Sequence, residues 1–157
     1  MKSLAAFILL ALTMIDPAFS EVVYDEQTDE FTGEDNSSVI IFDGDENRNL
    51  TIAWKCLSDR LNVILVHDFL RGDSDDDVAV QTKFDEQEPS GIKFYRLHSS
   101  NEGTLFDLSD VDTFTKKAIA ANEFMVRVTD PADRKTITAT YRTEGLKDEL
   151  LKLLCYP

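Results

Sequence analysis

Few side chains in this sequence are of a type and spacing that performs chemistry, and each set suggests a different reaction. His67, followed by Asp68, and His98, in the string Arg96-Leu97-His98-Ser99, are the only histidines. A serine hydrolase would need a Gly-x-Ser-x-Gly elbow and a zinc protease would need His-Glu-x-x-His on one helix face; neither string occurs. Both histidines therefore read as strand-end residues making local hydrogen bonds, and no catalytic residue is assigned. With 30 Asp and Glu in the chain, neighbouring carboxylates arise from composition alone and carry no glycosidase signal.

The string Asp73-Ser74-Asp75-Asp76-Asp77 places carboxylates at alternate positions, as a calcium loop does. An EF-hand also needs Gly at its sixth position, where Val78 stands, and Glu at its twelfth, where Phe84 stands. The turn Asp43-Gly44-Asp45-Glu46-Asn47 fails in the same way. Solvated turn charge is the expected role of both. Asp73, Asp75 and Asp77 are the ligands a weak calcium site would use, and Asp75, Asp76 and Asp77 form a candidate acidic contact surface. Arg127 interrupts an apolar run and by alternation shares a face with Glu123, Met125 and Thr129, away from the core. It is an exposed or ion-paired residue and a candidate for binding.

Sixteen Lys and Arg against 30 Asp and Glu leave a net charge of −14. That charge repels nucleic-acid backbones and anionic lipid surfaces, so nucleic acid is not an expected partner and a basic protein surface is. Apolar residues make up 43% of the 157, which excludes wholesale disorder and supplies one domain.

Met1-Lys2-Ser3 is a short basic start, and residues 4–14 (LAAFILLALTM) are an apolar run of secretory length. Ala18 and Ser20 are the small residues a signal peptidase reads, which predicts cleavage between Ser20 and Glu21. The apolar run stops at Asp16-Pro17, short of the roughly 20 residues that span a bilayer. The expected organisation is a signal peptide over 1–20 and one exported, periplasmic or secreted, domain over 21–157, with no membrane span left after processing. In an oxidising compartment the two cysteines, Cys56 and Cys155, are expected to form one disulfide. Zinc is disfavoured, since two distant cysteines and two histidines lack the close-spaced pairs that such sites use. No cofactor or metal is assigned.

The elements that must position these residues are mostly short strands. Residues 50–56 alternate, with Leu50, Ile52, Trp54 and Cys56 on one side and Thr51, Ala53 and Lys55 on the other. The same period marks 78–84, 124–128 and 136–142, while 61–66 is apolar on both faces, as in a central strand. Residues 92–98 read as a strand with Ile92 and Phe94 opposite Tyr95 and Leu97. Helical spacing of Val111, Phe114, Ala118 and Ala121 predicts a helix capped by Ser109, and Leu146, Leu150, Leu153 and Leu154 stripe a final helix after Gly145. The expected fold is mainly β (α+β), an antiparallel β-sandwich or strongly bent sheet with one late helix and a C-terminal helix.

The succession of Leu50-Thr51-Ile52 to Cys56, Arg60-Leu61-Asn62-Val63, Val80 to Asp85, Gly103-Thr104-Leu105-Phe106, Phe124 to Thr129, Thr136 to Tyr141 and Gly145-Leu146 through Leu154-Cys155 resembles the VasI/TagO-like family of small exported bacterial proteins. That family holds type VI secretion-associated members and uncharacterised relatives. The chain departs from its pattern at Tyr95, where a Trp is expected, and at Tyr141-Arg142-Thr143, where Phe-Asp-Leu is common. The resemblance implies an exported, non-enzymatic accessory protein that recognises another protein of the cell envelope. The alternatives are an inhibitor of an envelope enzyme, an envelope hydrolase, and a calcium-dependent structural module.

Overall fold

The computed structural model describes residues 20–43, 50–67, 76–97 and 103–156. The expected leader through Phe19, the 44–47 turn, Asp68, Asp73, Asp75 and His98 lie outside them. Period-2 alternation resolves into β1 (Val22–Asp25), β2 (Ser38–Phe42), β3 (Leu50–Leu57), β4 (Arg60–His67), β5 (Asp77–Phe84), β6 (Lys93–Arg96), β7 (Gly103–Leu105), β8 (Glu123–Thr129) and β9 (Thr136–Arg142). Helix α1 (Leu108–Ala120) stands between β7 and β8, and α2 (Leu146–Leu150) follows β9.

The fold is mainly β, a sandwich of two antiparallel sheets ordered β1-β2-β3-β4-β7 and β6-β5-β8-β9. Ser58 and Asp59 take positive φ between β3 and β4, the backbone that a two-residue hairpin loop needs to match strand twist. The inner faces carry the core: Ile41, Ile52, Trp54, Val63 and Leu65 from one sheet, Val80, Phe124, Val126 and Tyr141 from the other, all buried. Phe114 of α1 is wedged among both sheets, 6.0 Å from the Trp54 ring and 5.5 Å from Phe124. The Trp54 indole N–H donates to Thr115 Oγ1 at 3.0 Å, so the helix that fills the core also satisfies its largest buried polar group.

The sheets meet along two lateral seams. On one side the isolated antiparallel bridge Leu97↔Thr104 joins the strand ends beyond β6 to β7. Tyr95 and Phe106 stack across that seam with centroids 4.6 Å apart, and buried His67 lies 3.2 Å from Thr104 Oγ1. On the other side β1 and β9 are outer strands that share no ladder among the described residues. The Ser20 hydroxyl crosses there, donating to the Thr140 carbonyl at 3.3 Å and accepting from the Arg142 N–H at 2.9 Å.

The pairing of Cys56 with Cys155 is present, with Cα atoms 5.8 Å apart. Three local expectations change. Helix α1 starts at Leu108 after Asp107, without a side-chain cap from Ser109, and ends at Ala120, leaving Ala121 extended. Helix α2 stops at Leu150 and gives way to turns, so Leu153 is buried while Leu154 is 84% exposed. The disulfide at the next residue fixes the chain direction there, and helical spacing no longer applies. Residues 92–98 shrink to the four of β6, and their Ile92 and Phe94 side is open to solvent while Tyr95 and Leu97 face the core.

Candidate functional site

A cavity of about 90 Å³ lies between β5, β6 and α1, floored by Phe84, Tyr95, Phe106 and Phe114 and rimmed by Lys93 and Asp110. Ligand pockets usually measure roughly 300–1,000 Å³, so this one is too small for a metabolite. Its polar groups also satisfy one another: Tyr95 donates its hydroxyl proton to Asp110 Oδ2 at 2.8 Å, and Lys93 pairs with Asp110 Oδ1. Burial works against the charged form of Asp110, yet the hydrogen bonds from Lys93 and Tyr95 outweigh it and hold the carboxyl below its ordinary range. Burial, reinforced by the Asp110 charge, pushes the Tyr95 phenol up. The trio is a latch between β6 and α1.

Two open grooves are larger. One of about 480 Å³ runs beside α1 over Leu61, Leu108, Val111 and Ile119, and the Lys116 and Asp112 on its rim pair with each other at 2.8 Å. The other, about 560 Å³, borders the disulfide and Asp59. Among the described residues no group of three or more His, Cys, Asp or Glu side chains converges as a metal site would require. Asp77 opens β5 in register with Arg96, and the Asp76 carbonyl accepts from the Leu97 N–H, while Asp73 and Asp75 of the candidate acidic loop lie outside the described residues.

The remaining feature is a strand edge. Of the four outer strands, β1 and β6 have four residues and β7 has three, whereas β9 has seven. In an antiparallel ladder the N–H and C=O of one residue point the same way and successive residues alternate. The N–H of Thr143 donates to the Asn122 carbonyl and the carbonyl of Lys135 accepts from Asp130, so odd-numbered residues of β9 face β8. The bonds of Thr140 and Arg142 to Ser20 confirm that even-numbered residues face outward. Thr136 and Thr138 thus direct backbone donors and acceptors away from the sheet.

Above this edge lies Arg127, the candidate read from sequence. It is exposed, on the outer face with Met125 and Thr129, as alternation requires. Its register partners are Gln81 on β5 and Thr138 on β9. The guanidinium Nε donates to Thr138 Oγ1 at 3.3 Å, so the side chain is laid across β9 towards the edge, and among the described residues no carboxylate pairs with it. Sequence reasoning found Arg127 but not the edge beside it, because a strand's place in its sheet depends on partners distant in the chain. The Thr136-Ile137-Thr138-Ala139-Thr140 alternation, free of Pro and of inward charge, is the signal that was available. Three comparisons, with protein-family models, curated proteins and solved structures, return no match for this chain.

Proposed function

We propose that this chain is an exported, non-enzymatic binding protein that recognises another cell-envelope protein by adding one of its strands to the β9 edge. The observation that carries this is β9 itself, the longest of the outer strands, whose outward N–H and C=O groups at Thr136 and Thr138 have no neighbouring strand among the described residues. The Ser20 hydroxyl covers the other end of the edge at Thr140 and Arg142, and the expected cleavage between Ser20 and Glu21 would uncover those groups in the exported chain. The signal-like N-terminus and the family resemblance support the envelope as the setting, with type VI secretion one context among the relatives. The disulfide and the lack of any helix long and apolar enough to cross a membrane among the described residues are compatible with export.

The test places a photoreactive amino acid at Thr136 in the exported protein and identifies adducts in living cells. One envelope protein crosslinked in the unmodified chain, and absent when Thr138→Pro removes the outward N–H, is the expected result. Adducts that persist in Thr138→Pro, or none at all, refute edge recognition.

A further inference from the structure

We infer that the strand received by β9 is an acidic one, with Asp or Glu at the position facing Thr138. This deepens the edge-binding reading and rests on it. An added antiparallel strand lies about 4.8 Å from β9, and residues directly opposite have Cβ atoms about 4.5–5.5 Å apart. Thr138 shows its side chain on the outer face, where Arg127 reaches over it to bond its hydroxyl. The incoming residue opposite Thr138 would point to that same face, next to the guanidinium. A carboxylate there completes a charge pair that the described structure leaves unmade and offers the acceptors that a guanidinium fork fits. A lysine there would meet a like charge across one strand spacing.

The net charge of −14 argues the other way at long range. At physiological ionic strength the screening length is about 8 Å, so charges within one strand spacing of the incoming side chain decide its sign. Overall acidity then favours a partner whose body is basic and whose docking strand carries the carboxylate.

The probes are two synthetic peptides, Thr-Val-Thr-Glu-Thr-Val-Thr and the same sequence with Lys in place of Glu, titrated into the isotope-labelled exported chain. Expected is perturbation of the Thr136 and Thr138 amides, with the Glu peptide binding at least tenfold tighter. Arg127→Glu should reverse that order and Arg127→Lys should retain it. If both peptides perturb the β9 amides equally, the acidic assignment fails while edge recognition stands. If neither does, both fail. Concentration-dependent self-association that protects the same amides in the peptide-free protein would assign the edge to a second copy and overturn the acidic-partner inference.

Discussion

The two lateral seams of the sandwich do the same topological job with different materials. The β6/β7 seam is shut by a backbone bridge and a stacked Tyr95–Phe106 pair, with the Asp110 latch tying β6 to α1 and a buried His67–Thr104 contact bracing β7 against β4 behind it. At the β1/β9 seam no backbone bridge is described, and a serine hydroxyl crosses. Closing one side with main-chain and buried contacts gives rigidity, whereas spanning the other with a side chain leaves strand groups for something else to pair with.

Four experiments press on that contrast. The largest effect is expected at the disulfide, which ties residue 155 to β3, while α2 packs beside β1 and β2. Replacing both cysteines with Ser removes a cross-link closing a loop of about 100 residues, up to about 4.7 kcal/mol in the chain-entropy model. Urea denaturation should show the loss, and amide exchange in α2 and β1 should rise more than in β6 and β7.

Thr104→Val strikes the β4/β7 pairing that backs the closed seam. Thr104 is fully buried and faces His67, so losing the hydroxyl should cost about 1–3 kcal/mol by equilibrium unfolding. An unchanged midpoint would show that this contact adds nothing to the support of β7 by β4.

Acid offers a third handle. Asp110 has its folded value depressed, so the stability it contributes is present above the ordinary carboxylate range and is lost as pH falls through that lowered value. The stability gap between the natural chain and Asp110→Asn should therefore be widest near neutrality and should close as pH falls through the ordinary carboxylate range and below it. A gap independent of pH would remove the ion pair from the account of this seam.

The smallest effect is expected from Thr138→Pro, which deletes an N–H pointing away from the sheet; a shift within about 0.5 kcal/mol is expected by urea melt. Ala139→Pro deletes a group facing β8 and should cost about 1–3 kcal/mol. Equal losses would mean that the edge is not open.

Much of the architecture was legible because alternation reports which side chains share a face. Leu50, Ile52 and Trp54 were placed inward, and Arg127 outward, from period alone. The even cysteine count in an export context was enough to expect the bridge. Hidden were features set by contacts between distant segments. Periodicity cannot tell that β9 ends a sheet, that Asp110 will meet Tyr95 and Lys93, or that Ala53 on the outward side will be 9% exposed among Ile40 and Ile64. Nor can it see a helix halted early, which turned Leu154 outward. The site lies on this hidden side: Arg127 was visible as a residue, but its neighbour Thr138 gains meaning only from the strand order.

The bridge from Cys56 to Cys155 also sets how the molecule would answer a mechanical load. Tension applied between Glu21 and Tyr156 passes from the C-terminal turn through the sulfur atoms straight into β3, bypassing everything threaded between the cysteines. At about 3.5 Å per extended residue, rupture would release only the leading 35 or so residues, about 120 Å of slack, against about 470 Å once the bond is reduced. β9 lies inside the protected loop, so tension between the two ends would leave it folded as long as the bridge holds.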